Sequence, residues 1–393
     1  MPTRLAAGPE IVAIPGPTVV PERVLRAMHR PMPDIYDGEL LEVTDEVFDG
    51  LRRLARSAAR PFVAISNGHG PWEMALSNTL SRGDKIVVLN CGTFGRVWGE
   101  MASFNGVRVE QIDAPPGCAD DPDRLAELLA ADGEHEIRAV LLVHVDTGSS
   151  ARNDVAAFRA AIDAADHPAL FMVDAIASLA CEPFEMDGWG VDVTIAASQK
   201  GLMAPPGLGF VWAGPRALAA HRTADLRTRY WDWTARTEEG PHYLRYCGTP
   251  PVSHLYAIRE SLRMIDEEGL DARIDRHRVL AGAVHAAVDA WDGLALAVGA
   301  PDERAASVTS ILCDGIDAEE IRRVTRDEMG VTLGIGLGRE PGTSFRIGHM
   351  GHVNAPMLLG VLGAVEAALL ALGASGQRGV EAAVRSIAAD LAV

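Results

Sequence analysis

The chain has 393 residues, 48% of them hydrophobic and 23% charged, which is enough apolar material for two domains or one large α/β core with a smaller appended unit. Its formal net charge of −18 repels phosphate backbones and excludes nucleic acid as an expected partner. Five scattered cysteines without a CxxC pair offer neither a disulfide framework nor a zinc ribbon, and Pro9, Pro15 and Pro17 interrupt any N-terminal apolar run, so a cytoplasmic protein without metal, leader or membrane span is expected.

In chain order, a strand at 62–65 leads into the glycine-rich turn Ser66 Asn67 Gly68 His69 Gly70 Pro71 and a helix over 72–80. Strand-length apolar runs follow at 85–90, 107–112, 138–145, 170–173, 191–196 and 208–212, with an amphipathic helix over 154–165. Seven such runs alternating with helices predict a mainly parallel seven-stranded sheet covered on both faces, an α/β architecture that binds ligands beyond the carboxyl ends of its strands. After Asp266 the pattern changes: a charged helix over 268–290, a strand at 308–313, a helix opened by Asp317 and Glu320 in capping-box spacing, strands near Val331 and Phe345, and a final helix from Asn354 to a stop at Gly373. The division expected is an N-terminal segment (1–16), a large domain (17–265) and a smaller C-terminal α+β domain (266–393). Gly334, Gly336, Gly338 and Gly342 precede a strand, not a helix, and read as loop glycines.

Two strand ends carry the chemistry. FMVDA places Asp174 at the end of one strand, and ASQKG places Lys200 just beyond the next. An aspartate there can pair with a pyridinium nitrogen and a lysine can form a Schiff base with an aldehyde, the two protein groups that pyridoxal 5'-phosphate chemistry needs. The turn at Gly68, His69 and Gly70 can bring backbone N–H groups and a helix N-terminus to a phosphate, or be a tight turn that binds nothing. Taken alone, Phe94 can equally be a core residue, His69 a surface turn residue and Arg346 half of a structural ion pair.

The blocks IPGPTVVPERVLRAM, SNGHGPWEMALSNTLSRGD, FMVDAIASL, ASQKGLMAPPGLGF, YCGTPPVSHLYAIRESL and FRIGHMG, in that order, resemble the class V, fold type I aminotransferases of the alanine/serine:glyoxylate group. The resemblance implies a fold type I pyridoxal-phosphate transferase. Lys200 would be the Schiff-base lysine, Asp174 the pyridinium partner, and Gln199 with Gly68, His69 and Gly70 the phosphate site. Phe94 would stack on the cofactor ring, Thr147 would hydrogen-bond its phenolic oxygen, and Ile176 would join the cofactor-binding set. Tyr246 and Thr249 would reach the phosphate of a neighbouring subunit, implying a homodimer with shared sites. Arg346 would clamp a substrate α-carboxylate, while Tyr36, Trp231 and Trp233 would line the substrate side. The sequence departs from the group where Asp34 Ile35 Tyr36 Asp37 replaces a His-Arg pair. The activity implied is transamination between alanine or serine and glyoxylate or pyruvate, with pyridoxamine:pyruvate and aspartate:glyoxylate aminotransferase as alternatives. Leu337 stands where the pyridoxamine enzyme would carry a second arginine, with Arg339 offset by two. A cysteine desulfurase would need a mobile nucleophilic cysteine, and a hydrogenase-linked homologue without turnover would not need Lys200, Asp174 and Arg346 together.

Overall fold

The computed structural model describes residues 4–236, 239–374 and 377–391. It opens with a short strand, β1 (Ile11–Ala13), followed by the strands of a large sheet: β2 (Arg60–Ser66), β3 (Lys85–Asn90), β4 (Arg108–Asp113), β5 (Ile137–Val143), β6 (Leu170–Asp174), β7 (Val193–Ala197) and β8 (Gly207–Ala213). Their order across the sheet is β2-β8-β7-β6-β5-β3-β4. Only β8 runs against its neighbours; every other pairing is parallel. All seven expected runs are therefore strands of one sheet.

The two faces of each strand bury different residues because strand side chains alternate. On β6, Phe171 and Val173 join one core with helices Glu39–Ala55 and Val252–Glu268, while Leu170 and Met172 join another with helices His69–Thr79 and Thr93–Phe104. Leu40, Val43, Val47, Leu51 and Leu54 recur at helical spacing and put one apolar stripe of Glu39–Ala55 against the sheet.

A second sheet contains β9 (Leu294–Leu296), β10 (Val308–Cys313), β11 (Val331–Ile335) and β12 (Ser344–Gly348), in the order β1-β11-β12-β10-β9. The N-terminal strand thus pairs with the C-terminal sheet, Ile11 lying parallel to Val331. Three expectations change in this half. The helix read as 268–290 is Leu270–Asp289, separated from Val252–Glu268 by Gly269 at φ 85°, a conformation that suits glycine and ends the preceding helix. The capping box is only half made: Asp317 Oδ1 accepts the Glu319 N–H at 2.8 Å, but the Glu320 carboxylate turns outward to Arg323. The helix capped by Asn354, Ala355–Ala371, is followed by another, Gly379–Ala389. Among the described residues no helix is long and apolar enough to cross a membrane, and all five cysteines are unpaired.

Candidate active site

Because β2, β3, β5, β6 and β7 all point the same way, the segments that follow them gather at one edge of the sheet. There they enclose a cavity of about 340 Å³ lined by Gly68, His69, Phe94, Thr147, Asp174, Ile176, Gln199 and Lys200. Eight sequence-predicted residues from five segments therefore meet in one space. A larger groove of about 1120 Å³ on another part of the surface, lined by Arg60, Arg159, Trp189 and Arg216, contains none of them.

Asp174 ends β6 and is 3% exposed. The Ile176 N–H donates to its Oδ1 at 2.6 Å and the Trp72 indole N–H to its Oδ2 at 2.8 Å. Burial pushes this carboxyl up to about 7, and the two hydrogen bonds oppose the rise because both favour the ionised form. Trp72 is itself fixed, stacked on Trp98 with ring centroids 5.8 Å apart and edge-on to His69 at 4.7 Å.

The chain has two lysines. Lys85, at the start of β3 and so at the other edge of the sheet, pairs with Glu110 at 2.8 Å. Lys200 projects into the cavity. Burial lowers its ammonium to about 8, helped by Arg346 and opposed by Asp174 and Asp146. Its Nζ donates to the carbonyl of Pro15, in the segment leading out of β1. That segment is held in turn by Thr18, whose N–H donates to the Gln199 carbonyl at 3.0 Å and whose hydroxyl donates to the Lys200 carbonyl at 3.1 Å. Gly16 is required there: its φ is +98°, and a Cβ would stand 2.7 Å from Lys200 Nζ.

At the other end of the cavity, Gly68 precedes the helix His69–Thr79, which has no side-chain cap and no acid in its first turn. Asn67 Oδ1 accepts the His69 N–H at 3.1 Å. A Cβ on Gly68 would lie 2.7 Å from Ile176 Cδ1, and one on Gly70 would lie 2.3 Å from Ser66 Oγ. Gln199 Oε1 and Ser66 Oγ are buried without a hydrogen-bond partner. An uncapped helix start with orphaned polar groups beside it fits an anionic group such as a phosphate. A buried carboxylate and a lysine across the same cavity fit a pyridine aldehyde, so the donor set matches pyridoxal phosphate.

Arg346 lies on β12 behind Thr147 and does not line the cavity. Its Nε donates to the Ile335 carbonyl and its Nη1 to the Thr147 carbonyl, both at 2.7 Å. Among the described residues it has no carboxylate partner, and burial lowers it to about 10 against the pull of Asp146. A buried guanidinium held only by neutral carbonyls is available to an anion, which distinguishes it from a structural ion pair.

Other expected residues lie elsewhere. Tyr246 is buried in the core and its hydroxyl bonds to Thr44 Oγ1 at 2.9 Å, within its own chain. Thr249 is exposed, and Tyr36 is 67% exposed with its ring against Tyr243. Trp231 borders the glycine-rich turn, donating to Glu73 Oε2 at 3.1 Å, whereas Trp233 is a core residue stacked on Phe62. Sequence reasoning passed over Trp72, Asp146 and the Pro15–Gly16 contact. Trp72 stands in a quoted block, and Asp146 directly precedes Thr147; nothing local marks either as facing the site.

A family model described as Aminotransferase class-V matches residues 68–339. The chain is 39% identical over 365 residues to the serine–glyoxylate aminotransferase of Methylorubrum extorquens, with 91% of this chain and 90% of that one covered. It is 37% identical over 372 residues to the L-aspartate–glyoxylate aminotransferase of Paracoccus denitrificans, covering 94% and 93%. The crystal structure of pyridoxamine-pyruvate aminotransferase from Mesorhizobium loti superposes with a TM-score of 0.91 at 27% identity, covering 100% of both chains.

Proposed function

The chain belongs to the class V aminotransferases and is a transaminase, and we propose that it holds pyridoxal 5'-phosphate in the Asp174–Lys200 cavity and moves an amino group between alanine or serine and glyoxylate or pyruvate. The observation that carries this reading is the convergence of Lys200 and Asp174 on one cavity, backed by an arginine that among the described residues has no carboxylate partner. Asp174 would hold the pyridine nitrogen, Lys200 the aldehyde carbon, and Gln199 with the Gly68–Gly70 turn the phosphate; Phe94 and Thr147 would face the ring and its phenolic oxygen. When bound, the cofactor supplies an electron sink for the bond to the substrate Cα.

The residues divide the remaining work. Asp174, whose ionised form the Ile176 and Trp72 hydrogen bonds favour against burial, would keep a proton on the pyridine nitrogen. Lys200 Nζ would take the substrate's Cα proton; an ammonium lowered to about 8 is neutral in about a tenth of molecules at pH 7, far more than an unperturbed lysine, and so can act as base. Arg346, oriented by the Ile335 and Thr147 carbonyls, would receive the α-carboxylate. Homodimeric sites, with the exposed Thr249 and not the buried Tyr246 facing a neighbour, and a cytoplasmic location complete the reading; unpaired cysteines agree with a reducing compartment. A dicarboxylic donor is the second reading, favoured by the 37% identity to the aspartate–glyoxylate enzyme.

The test is a comparison of kcat/KM for alanine, serine, aspartate and glutamate with glyoxylate and pyruvate as acceptors, alongside borohydride reduction of the loaded protein. Alanine or serine should lead and the label should sit on Lys200. Aspartate as the preferred donor would replace the substrate reading, and a label on Lys85 would overturn the site.

A further inference from the structure

Asp146, in the segment HVDTGSS after β5, is fully buried and does not line the cavity. Its carboxylate nevertheless ties together the two segments that do. Its Oδ2 accepts the Phe94 N–H at 2.7 Å, and its Oδ1 accepts the N–H groups of Gly148 at 2.7 Å and Ser149 at 3.0 Å. Phe94 stands in the first turn of the helix Thr93–Phe104, which begins at Gly92 with no side-chain cap and no acid of its own. The missing cap is thus supplied from 52 residues away, by a carboxyl oxygen that accepts an N–H of the helix's first turn. Gly92 is shaped for it: a Cβ there would lie 2.4 Å from the Asp146 carboxylate. On its other side, Asp146 fixes the turn in which the Thr147 carbonyl holds Arg346 Nη1.

We infer that Asp146 is a positioning residue that sets Phe94, Thr147 and, through Thr147, Arg346, so that one buried carboxylate aligns both the cofactor wall and the carboxylate-binding arginine. The inference rests on the cavity being the pyridoxal-phosphate site. Both carboxylate oxygens accept N–H groups, so an amide at this position sets its own N–H against a backbone N–H whichever way it turns. One of the two segments is then released.

The experiment measures pyridoxal-phosphate affinity by equilibrium dialysis, and kcat and KM of the amino-acid half-reaction, for the parent, Asp146→Asn, Phe94→Ala and the double variant. Asp146→Asn should weaken cofactor binding by about tenfold to a hundredfold, the effect of one lost charged hydrogen bond. It should also raise KM for the amino acid, because Arg346 loses its support. If Asp146 acts partly through Phe94, the double variant loses less affinity than the product of the two single losses, a coupling that a general loss of stability does not produce. Should Asp146→Asn give no folded protein, Gly92→Ala carries the same expectation, since it keeps the carboxylate and displaces the turn. Binding and KM within twofold of the parent, or losses that simply multiply, would overturn the proposal while leaving the cofactor reading intact. A parent that takes up no pyridoxal phosphate would overturn both.

Discussion

Replacing Trp72 with phenylalanine removes one of the two hydrogen bonds that oppose the effect of burial on Asp174. Phenylalanine keeps part of the ring that packs on Trp98, and the change removes the 2.8 Å bond to Oδ2. A hydrogen bond to a charged acceptor contributes about 1.5 to 3 kcal/mol, and about 1.4 kcal/mol corresponds to one pH unit of titration. Losing a donor that favours the ionised carboxylate raises its titration point, so Trp72→Phe should move Asp174 upward by about one to two pH units from its position near 7. The assay is kcat/KM for the amino-acid half-reaction against pH in both proteins. The acid limb should shift to higher pH by that amount, with most of the rate recovered on the alkaline side. The cofactor's charge acts on parent and variant alike, so the difference between them is the quantity read. Superimposable profiles would show that the Trp72 bond does not govern the charge on Asp174, and a uniform loss at every pH would point to packing instead.

Two further outcomes follow from buried groups. Glu182 is 5% exposed and burial raises its carboxyl to about 7, with the Ala306 N–H opposing. A folded value raised above the unfolded one gives stability that is full below about 4.5 and is lost as pH rises through about 7, by about 3 kcal/mol. Glu182→Gln keeps an acceptor without the charge, so its Tm should exceed the parent's at pH 8 and not at pH 5; equal gains at both would rule out this cause. Gly16→Ala drives a methyl group into the Lys200 side chain at a positive φ and should leave a cooperatively folding protein that retains clearly less borohydride-reducible cofactor. Full retention would mean that the Pro15 contact is incidental.

The large sheet was legible because buried parallel strands are continuous apolar runs, and each of the seven appears near its expected place. β1 was not: three residues between prolines have no recognisable period, and their partner, Val331, lies far along the chain. The break at Gly269 was hidden because the charged residues on either side continue a helical pattern, so only the glycine's φ separates the two helices. At the site, residues carried by quoted blocks that follow strands, from Gly68 to Lys200, converge as their positions suggested. Trp72 and Asp146 were missed because each acts through a tertiary hydrogen bond, to Asp174 and to Phe94, that no local pattern announces. Tyr246 and Thr249 lie away from the cavity of their own chain: Tyr246 is held in the core by Thr44, and a role for the exposed Thr249 at a site depends on a second copy.

The parallel pairing of Ile11 with Val331 also orders events during synthesis. Ribosomes release chain from the amino end at roughly 5 to 20 residues per second, so β1 waits tens of seconds for its partner to emerge. Throughout that interval the Pro15 segment is held near Lys200 by the Thr18 bonds to the Gln199 and Lys200 carbonyls and not by β11, although every strand of the large sheet is already available. A nascent chain halted before β11 would therefore carry its lysine with the aiming segment anchored on one side only. On the proposed function, capture of the prosthetic group in its final geometry would be a late event in biogenesis, tied to completion of the carboxyl-terminal half, and a ribosome-bound series ending on either side of Ile335 would reveal the step.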